Sequence, residues 1–181
     1  PQLTVHRADL LAAQAEALPE GALHLGAKVV GADPEGALLM ADGSRIEADA
    51  VIGADGIHSP VRTALFGPDA PRFTGLVSWR AVVPRASVAD LPNLDSFTKW
   101  WGPTPNRQIV VFPLSRGEEI FVFATTARDG WEEEGWTLPG DPDELRAAYA
   151  DFHPEARALL DAVTEVTRSA LHVRDPMPAW S

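Results

Sequence analysis

The residues best placed to do chemistry lie in one short string. Asp49 to Gly53 (DAVIG) is an apolar run, Ala54-Asp55-Gly56 comes after it, and Ser59-Pro60 comes next. A run of that kind predicts a strand buried on both faces. Ser59 as a cap, with Pro60 at the first helical position, predicts a helix through Leu65 that Gly67-Pro68 closes. A carboxylate at the C-terminal end of such a strand is placed to accept hydrogen bonds from ribose hydroxyls. Gly56 beside it lets a backbone approach a ligand closely. The helix N-terminus would offer free N–H groups to phosphate. Asp-Gly is also a common turn, so these residues alone leave a nucleotide site and a plain turn both open.

Other reactive side chains narrow the chemistry by their arrangement. There are no cysteines, which removes disulfides, thiolate nucleophiles and Cys-based metal sites. His6, His24, His58, His153 and His172 show none of the HxH, HxxxH or HExxH spacings, so no metal centre is expected. Trp100 and Trp101 are adjacent on an expected strand and must point to opposite faces, so at most one lines a pocket. Glu132-Glu133-Glu134 reads as a solvated loop. Fifteen Lys and Arg stand against 26 Asp and Glu, giving a net charge of −11 without any basic cluster. That balance argues against nucleic acid and against an anionic membrane surface. No apolar run approaches the roughly 18 residues of a membrane span. The sequence shows no secretion signal, so the cytoplasm is the default expectation. Pro1 is not an initiator Met, which suggests processing, cutting or excerpting from a longer chain.

The elements that must position these residues fall into two groups. Arg7 to Leu18 reads as a helix stopped by Pro19. Leu23 to Val30, Ala37 to Met40 and Ser44 to Glu47 suggest a small antiparallel meander turned at Asp33-Pro34-Glu35-Gly36 and at Asp42-Gly43. Beyond Pro71, Leu76 to Val83, Phe97 to Trp101, Gln108 to Leu114 and Ile120 to Thr126 read as strands of one sheet. Asp143 to Phe152 and Glu155 to Val163 read as helices, and Val166 to Val173 as a last strand. Gly130 to Pro142 reads as a loop. In Ser115-Arg116-Gly117 the glycine fits the left-handed third position of a three-residue hairpin loop. That loop would set Phe112 opposite Ile120, place Gln108, Val110, Phe112 and Ile120 on one face, and turn Phe121 and Phe123 away.

Over nearly its whole length the chain resembles the FAD-dependent aromatic hydroxylases, the single-component flavoprotein monooxygenases. DAVIGADGIHSPVR (Asp49 to Arg62) resembles that family's Asp-Gly motif, and His6-Arg7-Ala8-Asp9-Leu10 its HRxDL helix. GLVSWRAVVP (Gly75 to Pro84), KWWGP (Lys99 to Pro103), the stretch from Glu134-Gly135-Trp136 through DELRAAYADFHPEARALL, and RDPMPAWS resemble its substrate domain and the segment just beyond that domain. Salicylate, hydroxynicotinate and urate hydroxylases look nearest.

The resemblance implies an α+β and α/β fold. Residues 1–70 would be part of a Rossmann-like FAD-binding domain, 71–175 an antiparallel-sheet substrate-binding domain with helices, and 176–181 a linker returning toward the FAD domain. Arg7 would contact FAD, and Asp55 with Gly56 its ribose or phosphate region. Arg62 matches the motif as well and could pair with Asp55 or another acid. Gln108, Phe112 and Ile120 stand where relatives touch substrate. Urate hydroxylase-like members carry Arg at the place of Gln108. Hydroxypyridine-type members carry His there, with Tyr at the place of Phe112. Neither Gln108 nor Phe112 titrates, so no residue here is named as catalytic. In whole relatives NAD(P)H reduces FAD, O2 adds at the flavin C4a, and the terminal oxygen passes to an electron-rich ring. The partners implied are a small aromatic substrate and O2, with a homo-oligomer also expected. The family's GxGxxG run and its Gly-Asp motif do not occur in this sequence, so the chain alone is expected to bind FAD negligibly and to be inactive. Two other readings stand beside the hydroxylase: a silent truncated relative serving as a binding domain, and a non-hydroxylating epoxidase, halogenase or reductase of the same superfamily.

Overall fold

The computed structural model describes residues 3–131, 133, 135–177 and 179. Parts of the expected acidic loop (Glu132, Glu134) and of the expected return linker (Pro178, Trp180, Ser181) lie outside the described residues. The chain divides into two compact units. Residues 1–13 with 73–172 form one, and residues 14–72 with 173–181 form the other. Helix α1 (Arg7–Glu16) carries the change from the first to the second, and none of its residues is buried.

In the second unit, β1 (Val29–Asp33), β2 (Ala37–Met40) and β3 (Arg45–Glu47) make an antiparallel meander in that order, but its first strand is displaced from the expected Leu23–Val30, because residues 23–28 are irregular around a turn at Gly26, whose φ is +74°. Side chains shape both turns. Asp33 accepts the Glu35 N–H at 2.9 Å, and Asp42 accepts the N–H and hydroxyl of Ser44 at 2.9 and 2.6 Å. Helix α2 (Pro60–Phe66) packs against β1 and starts at Ser59 and Pro60 as the sequence predicts. Ala32, Ala37, Met40 and Val61 are buried.

Asp49–Gly53 does not form the predicted strand. The segment has no regular structure, and Ile52 is 90% exposed. A strand buried on both faces exists only between neighbours that supply its hydrogen bonds and cover its side chains. Among the described residues no strand pairs with this segment, and Val61 beside Gly53 covers only part of it, leaving Ile52 in solvent.

In the first unit a six-stranded sheet runs in the order β5 (Thr98–Trp101), β6 (Gln108–Leu114), β7 (Glu119–Ala127), β4 (Arg72–Pro84), β9 (Val166–Val173), β8 (Leu138–Gly140). Helices α3 (Pro142–Ala148) and α4 (Pro154–Asp161), with the residue just past α3, supply Leu145, Tyr149, Ala156, Leu159 and Leu160 to one core. That core also takes Trp79, Ala81 and Val83 of β4, Ile109 and Val111 of β6, and Ile120, Val122 and Ala124 of β7. The alternation along each strand therefore gives this face to the helices. Trp100 packs on the same core while Trp101 points the other way, 61% exposed. Strand β8 lies inside the stretch that reads as a loop. Its Pro139 and Gly140 mask it, and a short edge strand is where a sheet tolerates proline.

The register of the β6–β7 hairpin differs from the expected one. Leu114 pairs with Glu119, Pro113 with Ile120 and Phe112 with Phe121. The turn holds four residues, because Glu118 is committed to it. The Glu118 N–H donates to the Ser115 carbonyl at 3.2 Å, and its own carbonyl accepts the Arg85 N–H at 2.9 Å. One added residue flips a strand's side chains to the other face. Ile120 is consequently a core residue, 1% exposed, and not a partner of Phe112 on the outer face. Phe121 and Phe123 take that face instead.

Candidate functional site

The Asp55 loop is held by its own side chains. Oδ2 of Asp55 accepts the Val61 N–H at 3.2 Å, and the Ser59 hydroxyl lies near enough to the carboxylate to favour its charged form. Burial alone would raise the Asp55 pKa, but the Ser59 hydroxyl, the Val61 N–H and the backbone N–H of Asp55 itself together outweigh it and hold the group below the ordinary carboxylate range. The Ser59 hydroxyl also accepts the Arg62 N–H at 2.9 Å, and the Thr63 N–H goes to the Ser59 carbonyl. Pro60 has no N–H. The expectation of free N–H groups for phosphate is therefore corrected: α2 spends its first donors on Asp55 and Ser59. Gly53 is required by packing, since a Cβ there would stand 2.9 Å from Val61 Cγ1. Gly56 is required by conformation, at φ +82°.

What this loop leaves for a ligand is the Asp55 carboxylate, not the first N–H groups of α2. A carboxylate has about four lone-pair directions. Asp55 is exposed, and its internal bonds leave some of those directions to a ligand hydroxyl. Arg62 does not pair with Asp55. It pairs with Asp69, and Arg174 pairs with the same carboxylate. Sequence reading misses Asp69 and Arg174 because no spacing links residues so far apart. Arg7 sits exposed at the start of α1, and among the described residues it forms no ion pair with Asp9 or Glu16.

In the first unit the sheet face away from the helices is aromatic. Phe97 stacks on Phe112 at 5.8 Å between ring centroids, and Phe112 meets Phe121 at 5.0 Å. Phe123 stands opposite Val110 on that face. Lys99 lies 3.7 Å over the Trp101 ring at one edge. Gln108 is half-buried on this face. Its Oε1 is fully buried, and among the described residues no group donates to it. A buried acceptor without a donor costs about 1–3 kcal/mol. Arg80 donates to the Ser169 hydroxyl at 2.9 Å and to the Trp136 carbonyl at 3.1 Å, with its guanidinium 4.8 Å over the Trp136 ring. Arg80, Val82, Phe121 and Thr167 line an open groove of about 660 Å³ with Thr137 and Pro139. Of the substrate residues expected from sequence, Gln108 and Phe112 share this face and Ile120 does not. Sequence reading overlooks Phe121, Phe123 and Arg80, the two phenylalanines because of the register and Arg80 because it reads as an ordinary strand residue.

Comparison with known proteins gives this geometry a family. The FAD binding domain family matches residues 9–174. The 6-hydroxynicotinate 3-monooxygenase of Pseudomonas fluorescens is 35% identical across 99% of this chain and 47% of its own length. The 3-amino-4-hydroxybenzoate 2-monooxygenase PtnB3 of Streptomyces platensis is 34% identical across 100% of this chain and 46% of its own. Among solved structures, a salicylate hydroxylase substrate complex superposes with a TM-score of 0.81 at 30% identity, over 96% of this chain and 47% of that one. HpxO of Klebsiella pneumoniae, complexed with FAD and uric acid, gives 0.70 at 25% identity, over 92% and 42%. The chain thus spans about half the length of the curated relatives it matches. With most of its residues inside the matching region, the chain belongs to the FAD binding domain family.

Proposed function

We propose that this chain is the substrate-binding and part of the cofactor-binding portion of an NAD(P)H- and FAD-dependent monooxygenase that hydroxylates a small aromatic or heteroaromatic compound. One observation carries the reading: an aromatic sheet face, Phe97–Phe112–Phe121, shares its side with the buried, undonated Oε1 of Gln108. A planar ring stacks on such a face, and a ring hydroxyl or N–H satisfies the amide oxygen.

When bound and reduced by NAD(P)H, FAD supplies activated O2 and thus the oxygen that reaches the ring. The chain's own residues do the rest. Phe112 and Phe121 bind and orient the ring, and their apolar surface keeps water from the reacting atoms. Gln108 Oε1 accepts the substrate's donor and fixes its rotation in the plane. Neither Gln108 nor Phe112 titrates, so the substrate's proton leaves to a group other than these two. Asp55 accepts from the cofactor's sugar hydroxyls, Gly56 allows the close approach, and Arg7 contacts the flavin. Residues 1–70 serve the cofactor, 71–175 the substrate, and 176–181 lead back toward the cofactor domain.

The test is purification of the complete gene product. A flavin absorbance spectrum, with NAD(P)H oxidation accelerated by an aromatic compound from a panel of phenols and hydroxy acids, is expected. A colourless protein, or oxidation that no aromatic compound accelerates, contradicts the proposal.

A further inference from the structure

A closed ring of contacts ties the Asp55 loop to a residue more than a hundred positions away. Arg174 donates to the Ile57 carbonyl twice, from Nε at 2.9 Å and from Nη2 at 2.5 Å. Its third nitrogen, Nη1, is buried against the Asp69 carboxylate, a charge contact without a formed hydrogen bond. Asp69 is also paired with Arg62, on α2. The α2 N-terminus is bonded in turn to Asp55 through the Val61 N–H. Ile57 lies two positions beyond Asp55, so the loop is gripped on both sides of Gly56. The Arg174 side chain is only 15% exposed.

We propose that Arg174 is a positioning residue for the cofactor loop: held by Asp69, its guanidinium fixes the Ile57 carbonyl and thereby the turn that presents Asp55. This rests on the reading that Asp55 serves the FAD sugar.

Two features single out this arginine. A guanidinium is a rigid planar fork that satisfies a carbonyl and a carboxylate at once, which an ammonium does not reproduce. The place in the chain matters as well. Asp69 comes just before the chain leaves its unit at Arg72, and Arg174 just after it returns at Val173. The pair therefore fastens the outgoing and returning segments together beside the Asp55 loop. Isolated surface ion pairs contribute little to stability. What this one supplies is geometry: two of its donors go to a single backbone oxygen at the loop.

The test uses the 181-residue chain and three variants, Arg174→Gln, Arg174→Lys and Asp69→Asn. NMR tracks amide exchange at Val61 and the titration of the Asp55 carboxyl, and thermal unfolding reports the fold. In both Arg174 variants Val61 exchange should accelerate about tenfold, the scale of one lost hydrogen bond. The Asp55 titration should move up toward the ordinary carboxylate value, with Asp69→Asn giving a smaller shift in the same direction. Arg174→Lys keeps the charge beside Asp69, so it decides the matter should Arg174→Gln fail to fold. Unchanged Val61 exchange and Asp55 titration in folded Arg174→Lys overturn the clamp. The cofactor reading fails separately: an Asp55→Asn complete gene product with unaltered flavin affinity removes the loop's cofactor role, whatever Arg174 does.

Discussion

Gln108 and Tyr149 meet at one end of β6 and carry opposite kinds of prediction. In the complete gene product Gln108→Ala should lower kcat/KM for the aromatic substrate roughly tenfold, the worth of one hydrogen bond. Flavin content should not change. Steady-state kinetics with flavin quantified spectroscopically checks both; loss of flavin with intact turnover per flavin would put β6 on the wrong side of the protein. Tyr149 is structural. Its hydroxyl donates to the Thr125 carbonyl, and burial pushes its pKa above the ordinary tyrosine value. A raised folded pKa means that its contribution is complete below the unfolded value of about 10 and is lost as pH rises past the folded one. Tyr149→Phe should cost about 1 kcal/mol at neutral pH and change how stability depends on alkaline pH, as denaturant titration at two pH values would show. Sequence alone reaches the shared face of Gln108 and Phe112 and the Ser59 cap, because strand alternation and capping are local. It cannot reach Tyr149's partner or the Asp69–Arg174 pair, because both are set by packing between residues distant in the chain.

At the scale of elements the hairpin shows where local rules stop. Gly117 is left-handed, at φ +90°, as its place in the loop predicts, but Ser115 and Arg116 share that region at +50° and +59°. Three successive left-handed residues with Glu118 behind them make a four-residue turn, and that single residue moves Ile120 into the core. The deciding bond, from the Arg85 N–H to the Glu118 carbonyl, comes from another part of the chain, so turn chemistry within the hairpin does not foresee it. A non-glycine residue in this region is strained by about 1 kcal/mol. Arg116→Gly should therefore stabilise the chain by up to that amount, less the entropy glycine adds to the unfolded state. Chemical denaturation measures it, and a loss of stability would mean that the Arg116 side chain contributes more than its backbone strain costs. The remaining strands of the sheet and helices α2 to α4 are legible within a few residues, since each carries period-2 alternation or a Pro-marked start. Strand β8 is hidden by its Pro and Gly.

Across the whole molecule, some large apolar residues are left uncovered: Ile52, in the segment 49–53, is 90% exposed, and Leu25 84%. Exposed apolar residues beside unpaired backbone favour association. The 181-residue chain should self-associate with rising concentration in sedimentation experiments, and Ile52→Asp should reduce that association; a wild-type chain that stays monomeric contradicts the expectation. In the proposed function the aromatic face of this sheet receives a ring to which one atom of O2 is added. This is tested most directly by the complete gene product, supplied with NAD(P)H, isotopically heavy O2 and an aromatic compound that accelerates NAD(P)H oxidation, with the product analysed by mass spectrometry. A hydroxylated ring carrying one heavy oxygen atom is the expected product. Oxidation of NAD(P)H that returns the aromatic compound unchanged, or a product whose oxygen comes from water, would contradict it.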